Sequence, residues 1–330
     1  MSLVEHLEEI WYSKHPLGLV LAPLAWVYRG AAALRRQAYV TGLMTAHLLP
    51  VPVIVVGNIT VGGTGKTPLV IWLTEFLKEK NYKPGIVARG YGGGAKHWPQ
   101  QVRPDSDAAM VGDEALVMAR HTQCPVAVGP DRYAAAEALT KYCDIDIIVS
   151  DDGLQHLMLG RDIEIAVVDG VRRHGNRRCL PAGPLREPVN RLNSVDMVVT
   201  NGIAGRGEFA MHYEAQPFRS IKDESIVRPF DSFRGQSVHA IAGIGHPARF
   251  FSMLRSKGLR VINHVFPDHY VYAKDDICFD DGLPVVMTEK DAVKCQRFVG
   301  PEHWYMAIKA ELPDVFGYRL LSLLKRIKTG

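Results

Sequence analysis

The stretch VGNITVGGTGKTPLV, residues 55–69, constrains this chain more than any other, because an apolar run passes through a cluster of glycines straight into one lysine and one threonine. Gly62, Gly63 and Gly65, with Thr64 among them, permit positive φ and close approach, so successive backbone N–H groups can turn inward around an anion. Lys66 then reaches the β- and γ-phosphates, the Thr67 hydroxyl takes Mg²⁺, and the helix that starts there points its positive end at the same place. The strict P-loop pattern has glycine five positions before Gly65, where this chain has Thr60. A glycine-rich turn alone would explain the glycines but not Gly-Lys-Thr. The order strand, loop, helix therefore predicts a site for a nucleoside triphosphate.

Such a site requires a second acidic position at the end of a neighbouring strand, where a metal ion is held. IDIIVSDDGLQH supplies Asp151 and Asp152 at the carboxyl edge expected of an open α/β sheet. Either aspartate can serve the metal, directly or through water, and an Asp-Asp-Gly turn is the plainer alternative. Short apolar runs alternate with helical periods from residue 51 onward: VPVIVVG, PGIVARG, PVAVG, IDIIVSDD, IEIAVVDG and VDMVVTNG. Runs this continuously apolar predict a mostly parallel sheet covered on both faces, a doubly wound α/β fold of the P-loop NTPase class. A polar, irregular stretch near 203–236 precedes VHAIAGIG, LRVINHVF and PVVMT, a second and smaller α/β domain. The expected division is 1–50 as an N-terminal helical membrane-interface segment, 51–205 as the P-loop domain, 206–236 as linker and 237–330 as the smaller domain.

With 47% hydrophobic and 22% charged residues, the chain has the composition of a folded protein and no low-complexity tract. A net charge of +4 is too small to suggest a nucleic-acid partner. Five scattered cysteines without a CxxC pair fit a reducing compartment. The apolar run Leu17–Tyr28 is cut by Pro23 and falls short of the roughly 20 residues that a spanning helix needs. Trp11, Tyr12, Trp26 and Tyr28 beside Lys14, Arg29, Arg35 and Arg36 suit a helix lying in a membrane interface, although a helix buried on the protein's own core has the same pattern. A cleaved signal peptide fits poorly, since Glu5, Glu8 and Glu9 stand where positive charge belongs.

Beyond the loop, VARGYGG, VGDEALVMA, VGPDRYAAA, VSDDGLQH, LPAGPLREP, FPDHY and VVMTEKDAVKC complete a set that resembles the tetraacyldisaccharide 4′-kinase family. The resemblance runs from the N-terminal helix to the last forty residues, and Thr60 stands where that family also lacks the usual glycine. It implies ATP and Mg²⁺ as cofactors, an acylated disaccharide lipid as substrate, and transfer of the γ-phosphate to the 4′-hydroxyl of a tetraacylated glucosamine disaccharide 1-phosphate in lipid A biosynthesis. A sugar hydroxyl is a poor nucleophile at neutral pH and needs a base within reach. Asp113 and His269 match the family's catalytic pair, meeting across two lobes. Without the resemblance, Asp113 reads as a helix cap and His269 as a loop histidine.

The resemblance also places Arg132 and Arg186 in the active site, where charge develops on transferring oxygens. It puts Gln155 with the nucleotide, Glu114 with the metal, and Arg89 and Tyr91 with the disaccharide. Arg172 and Arg173 head an arginine run that could meet a substrate phosphate or anionic headgroups, or lie in a solvated loop. A lipid substrate gives the N-terminal segment a task, that of a monotopic anchor on the cytoplasmic face of the bacterial inner membrane. No protein partner is evident. The rival reading is a membrane-associated regulatory ATPase or GTPase switch, for which Thr288-Glu289-Lys290-Asp291 has the wrong spacing to be a base-reading element.

Overall fold

The computed structural model describes residues 9–13 and 15–329; Glu5, Glu8 and Lys14 lie outside them. The chain forms two compact units, one made of 1–89, 129–212 and 311–330 and the other of 90–128 and 213–310.

In the first unit six parallel strands lie side by side in the order Phe209–Ala215, Met197–Asn201, Ile163–Asp169, Val53–Gly57, Ile147–Ser150, Pro84–Ala88. Every residue of VIVVG, IIVS and PGIVA is buried, as strands packed on both faces must be. Helix Lys66–Glu79 buries Leu69, Val70, Leu73, Thr74 and Leu77, one stripe at helical spacing. Because the strands are parallel, their carboxyl ends share one edge, and the loops after Gly57 and Ser150 emerge together there.

The N-terminal helix Ala22–Val40 reverses the usual pattern. Its small residues Ala22 and Ala25 are buried, Ala25 against Ile59, Cys179, Ala182 and Leu185, whereas Leu24, Trp26, Val27 and Leu34 are 58–74% exposed. Among the described residues no helix is long and apolar enough to cross a membrane.

The second unit carries a sheet ordered Val227–Arg228, Phe218–Ser220, His303–Met306, Val285–Thr288, Ser237–Ala242, Arg260–Val265, antiparallel at its first two pairings and parallel thereafter. Gln100–Val102 and Val126–Val128 form an antiparallel pair in the same unit. Secondary structure thus continues through the stretch expected to be irregular. Phe218–Ser220 and Val227–Arg228 are too short to show an alternating pattern, yet Phe218 anchors one face of the sheet. It meets Phe230 and Phe233 edge to face at 5.1 and 5.0 Å, and Phe233 meets Trp304 at 5.5 Å.

Phe233 is 1% exposed in this aromatic cluster, so Phe233→Ala should lower unfolding free energy by about 3–5 kcal/mol, measured by urea denaturation. A loss under about 1 kcal/mol would mean that the cluster does not hold this face.

Candidate active site

In the first unit the chain leaves strand Val53–Gly57 and turns at Gly62 and Gly65, with φ of +93° and +95°, values that a side chain would strain. Gly65 caps helix Lys66–Glu79 in the left-handed conformation, so Lys66 and Thr67 open the helix and Thr64 is buried beneath it. Lys66 Nζ lies 3.4 Å from Asp152 Oδ1, and Arg186 Nη1 lies 3.1 Å from both oxygens of the same carboxylate. Arg186 Nη1 also approaches Gln155 Oε1 at 3.4 Å, while Gln155 Nε2 donates to the Asn58 carbonyl at 2.9 Å and to Glu187 at 2.7 Å. Lys66, Asp152, Arg186 and Gln155 therefore form one cluster beside the glycine loop. Burial opposes the charge on Asp152, but Lys66, Arg186 and Arg132 outweigh it and hold its carboxyl below the ordinary range. Two cations on one carboxylate leave net positive charge, the condition for binding an anion.

Asp151 is buried at the end of strand Ile147–Ser150 and its N–H donates to the Val87 carbonyl. Arg132, also buried, begins helix Arg132–Tyr142; burial lowers its pKa, and the carboxylates of Asp152 and Asp151 oppose that. Its backbone N–H donates to His156 Nε2 at 3.3 Å. Burial and Arg132 push the His156 pKa down to about 4, so a neutral ring accepts that bond. Arg89 is exposed. The Arg172 guanidinium stacks on the Tyr12 ring at 4.9 Å and borders the loop, 3.9 Å from where a Cβ on Gly62 would stand. Arg173 points elsewhere, into a two-pronged pairing with Glu208 at 2.8 and 2.7 Å.

In the second unit Asp113 opens helix Asp113–Thr122 after Gly112, whose φ is +89° and whose absent Cβ would fall 2.5 Å from the Tyr91 carbonyl. His269 Nδ1 lies 3.1 Å from both Asp113 oxygens, and a carboxylate can only accept, so Nδ1–H donates. Tyr91 packs on the His269 ring at 4.6 Å. His269 has φ of +59°, unusual outside glycine and a form of strain that collects at functional sites. Burial works against charge on both partners, yet each favours the other's charged form: Asp113 titrates below the ordinary carboxylate and His269 above the ordinary imidazole. Both residues belong to the same compact unit, so the pairing that the sequence reading spread over two lobes is made inside one.

Asp113, His269, Gly92, Tyr272, Lys294 and Arg297 help line a cavity of about 360 Å³. Glu114 is held by Lys290 at 3.0 Å, and the same ammonium holds Asp268 at 3.0 Å. Lys294 Nζ lies 3.8 Å from Asp113 and 2.9 Å from Asp291. Sequence reasoning weighed Lys290 and Asp291 only as a base-reading element of the wrong spacing and gave Lys294 no role. The available signal was a Thr-x-x-Asp start on an apolar strand end, followed by two lysines four residues apart on one helix face.

A family model described as tetraacyldisaccharide-1-P 4′-kinase matches residues 17–325. The tetraacyldisaccharide 4′-kinase of Nitrosococcus oceani is 55% identical over 316 residues, covering 96% of this chain and 93% of that protein. Its counterpart in Pseudomonas syringae pv. syringae is 45% identical over 319 residues, covering 96% of each. A crystal structure of LpxK from Aquifex aeolicus, described as an "apo" form in complex with ATP, superposes with a TM-score of 0.79 at 28% identity, covering 93% of this chain and 99% of that one. With more than nine-tenths of its length matched, the chain belongs to the tetraacyldisaccharide 4′-kinase family, ATP-binding kinases of lipid A biosynthesis.

Proposed function

We propose that this kinase moves the γ-phosphate of ATP to the 4′-hydroxyl of a tetraacylated glucosamine disaccharide 1-phosphate, with Asp113 as general base. The observation that carries this is the Asp113–His269 pair, a carboxylate kept ionised by an imidazole and opening on a cavity. An ionised carboxylate can take the hydroxyl proton as the oxygen attacks, and His269 holds it in the orientation to do so. Lys66 and the loop amides grip the β- and γ-phosphates, Arg132 and Arg186 offset charge on the transferring oxygens, and Gln155 steadies Arg186. Arg89, Tyr91 and Arg172 are proposed substrate contacts. Arg173 is proposed to join them only if it gives up Glu208, and is otherwise a brace.

The donors near the loop suit Mg²⁺. Thr67, Asp151 and Asp152 offer only hard oxygens. Buried Thr64 Oγ1 and Ser150 Oγ have no hydrogen-bond partner among the described residues, as befits a place where polar ligands seat. The described residues make no cluster of three or more His, Cys, Asp or Glu able to hold an ion, so phosphate and water oxygens would complete the shell. Thr67 with Asp151 or Asp152 would supply the protein ligands; Asp152 is also engaged by Lys66 and Arg186, and Glu114 by Lys290. When bound, the ion would neutralise charge on the β- and γ-phosphates.

Helix Ala22–Val40 supports seating on a lipid surface. Leu24, Val27 and Leu34 share the side away from buried Ala22 and Ala25, with Arg29, Arg35 and Arg36 along the same helix. The proposed location is the cytoplasmic face of the inner membrane.

Two outcomes follow. Incubated with γ-labelled ATP, Mg²⁺ and a lipid extract, the protein should label a glycolipid, and Lys66→Met should abolish the labelling; free phosphate released without labelled lipid would favour a switch ATPase. Replacing Leu24, Val27 and Leu34 together by serine should weaken sedimentation with anionic vesicles by ~100-fold or more, since each apolar side chain contributes about 1.5–3 kcal/mol when buried. Unchanged vesicle binding would remove this helix from the membrane contact.

A further inference from the structure

The segment TEKDAVKC, at the end of strand Val285–Thr288 and through helix Glu289–Cys295, has no task in the function proposed above. Its charged side chains nevertheless turn inward. Asp291 is 0% exposed and accepts hydrogen bonds from Thr288 Oγ1 at 2.6 Å, Gly243 N at 2.9 Å and Tyr272 OH at 2.9 Å. Lys294 sits on Asp291 at 2.9 Å, and its side chain is 11% exposed. Glu289 lies 2.8 Å from His121 Nε2, in the last turn of the helix that Asp113 opens. Lys290, 18% exposed, spans Glu114 and Asp268 at 3.0 Å each, the chain neighbours of Asp113 and His269. Burying ammonium groups is costly unless carboxylates surround them, and a helix needing only solubility would leave these lysines in water.

We propose that helix Glu289–Cys295 is the positioning element of the Asp113–His269 pair: Lys290 locks Glu114 to Asp268, fixing the backbones that carry the two residues, and Lys294, seated on Asp291, holds the Asp113 carboxylate. The inference rests on reading Asp113 as the base. Lys290 and Lys294 touch no substrate in this scheme; they act through Asp113 and His269. Around the pair, the charged groups are Lys290 and Lys294 from this helix, Asp268 from the loop before His269 and Glu114 from the helix of Asp113. Burial disfavours charge on Lys290, but Glu114, Asp113 and Asp268 outweigh it and raise its pKa, so it stays an ammonium at neutral pH.

The test combines kinetics with a titration that needs no turnover. Lys290→Gln and Lys294→Met should each lower kcat by ~10-fold or more, with KM for ATP changed by less than about twofold. Lys294→Met added to Asp113→Asn should cost nothing further, because it acts through the same carboxylate. In ¹³C-imidazole NMR of the whole chain, Lys290→Gln should raise the His269 midpoint, since a cation that opposes its protonation is gone. Unchanged kcat in both variants, full additivity in the double variant, or an unmoved His269 midpoint would overturn the proposal. If Asp113→Asn alone kept full turnover, the base reading would fall by itself. The His269 midpoint would still judge the clamp, supporting it if moved and rejecting it if not. Should Lys294→Met fail to fold, Lys290→Gln carries the same test from a less buried position.

Discussion

A carboxylate 3% exposed to solvent is expensive to keep ionised, and much of the second unit is arranged around meeting that expense at Asp113. His269 donates to it, Lys294 stands close by, and Lys290 ties down Glu114 and Asp268, the chain neighbours of Asp113 and His269. The compensation has a chemical result. In the role proposed for it, a desolvated but still charged Asp113 would face little competition from water for a hydroxyl proton and would not have to search for its orientation. The same logic explains why a histidine tolerates φ of +59°: the surrounding contacts fix that backbone despite its cost.

The first unit solves the opposite problem. At the carboxyl edge of the parallel sheet, Lys66 and Arg186 pair with the half-buried carboxylate of Asp152 and Arg132 adds a further positive charge, a surplus suited to the phosphates proposed to bind there. Glycine at 62 and 65 lets the backbone take part, and the start of helix Lys66–Glu79 adds its dipole. Asp152 keeps these cations ordered and apart, which would otherwise repel one another. The N-terminal helix docks on this unit through alanines, close packing that leaves its larger apolar side chains facing outward.

Much of this was legible in the sequence where one physical signal dominated. Continuous apolar runs gave the parallel strands, and the glycine spacing gave a loop that turns at Gly62 and Gly65 and opens a helix at Lys66, because both are local patterns. Asp113 was legible as chemistry only through family resemblance; locally it begins a helix and even accepts from its neighbour Glu114 N–H at 2.8 Å, as any helix-opening aspartate can. Contacts made over long sequence separations left no local trace. Lys290 finds Glu114, and Arg173 finds Glu208, by tertiary folding that no spacing encodes. Strands Phe218–Ser220 and Val227–Arg228 were missed for a related reason: two or three residues cannot display a period, and Phe218 is buried by neighbours distant in the chain.

In the proposed function Asp113 acts in the chemical step and not in holding the nucleotide. Rapid-quench single-turnover measurement with Asp113→Asn, at saturating ATP and glycolipid, tests it most directly, alongside ATP affinity by calorimetry. The transfer rate should fall by ~10²-fold or more while the ATP Kd moves by less than about twofold. A transfer rate equal to that of the unmodified protein, or a loss explained wholly by weaker ATP binding, would contradict the account.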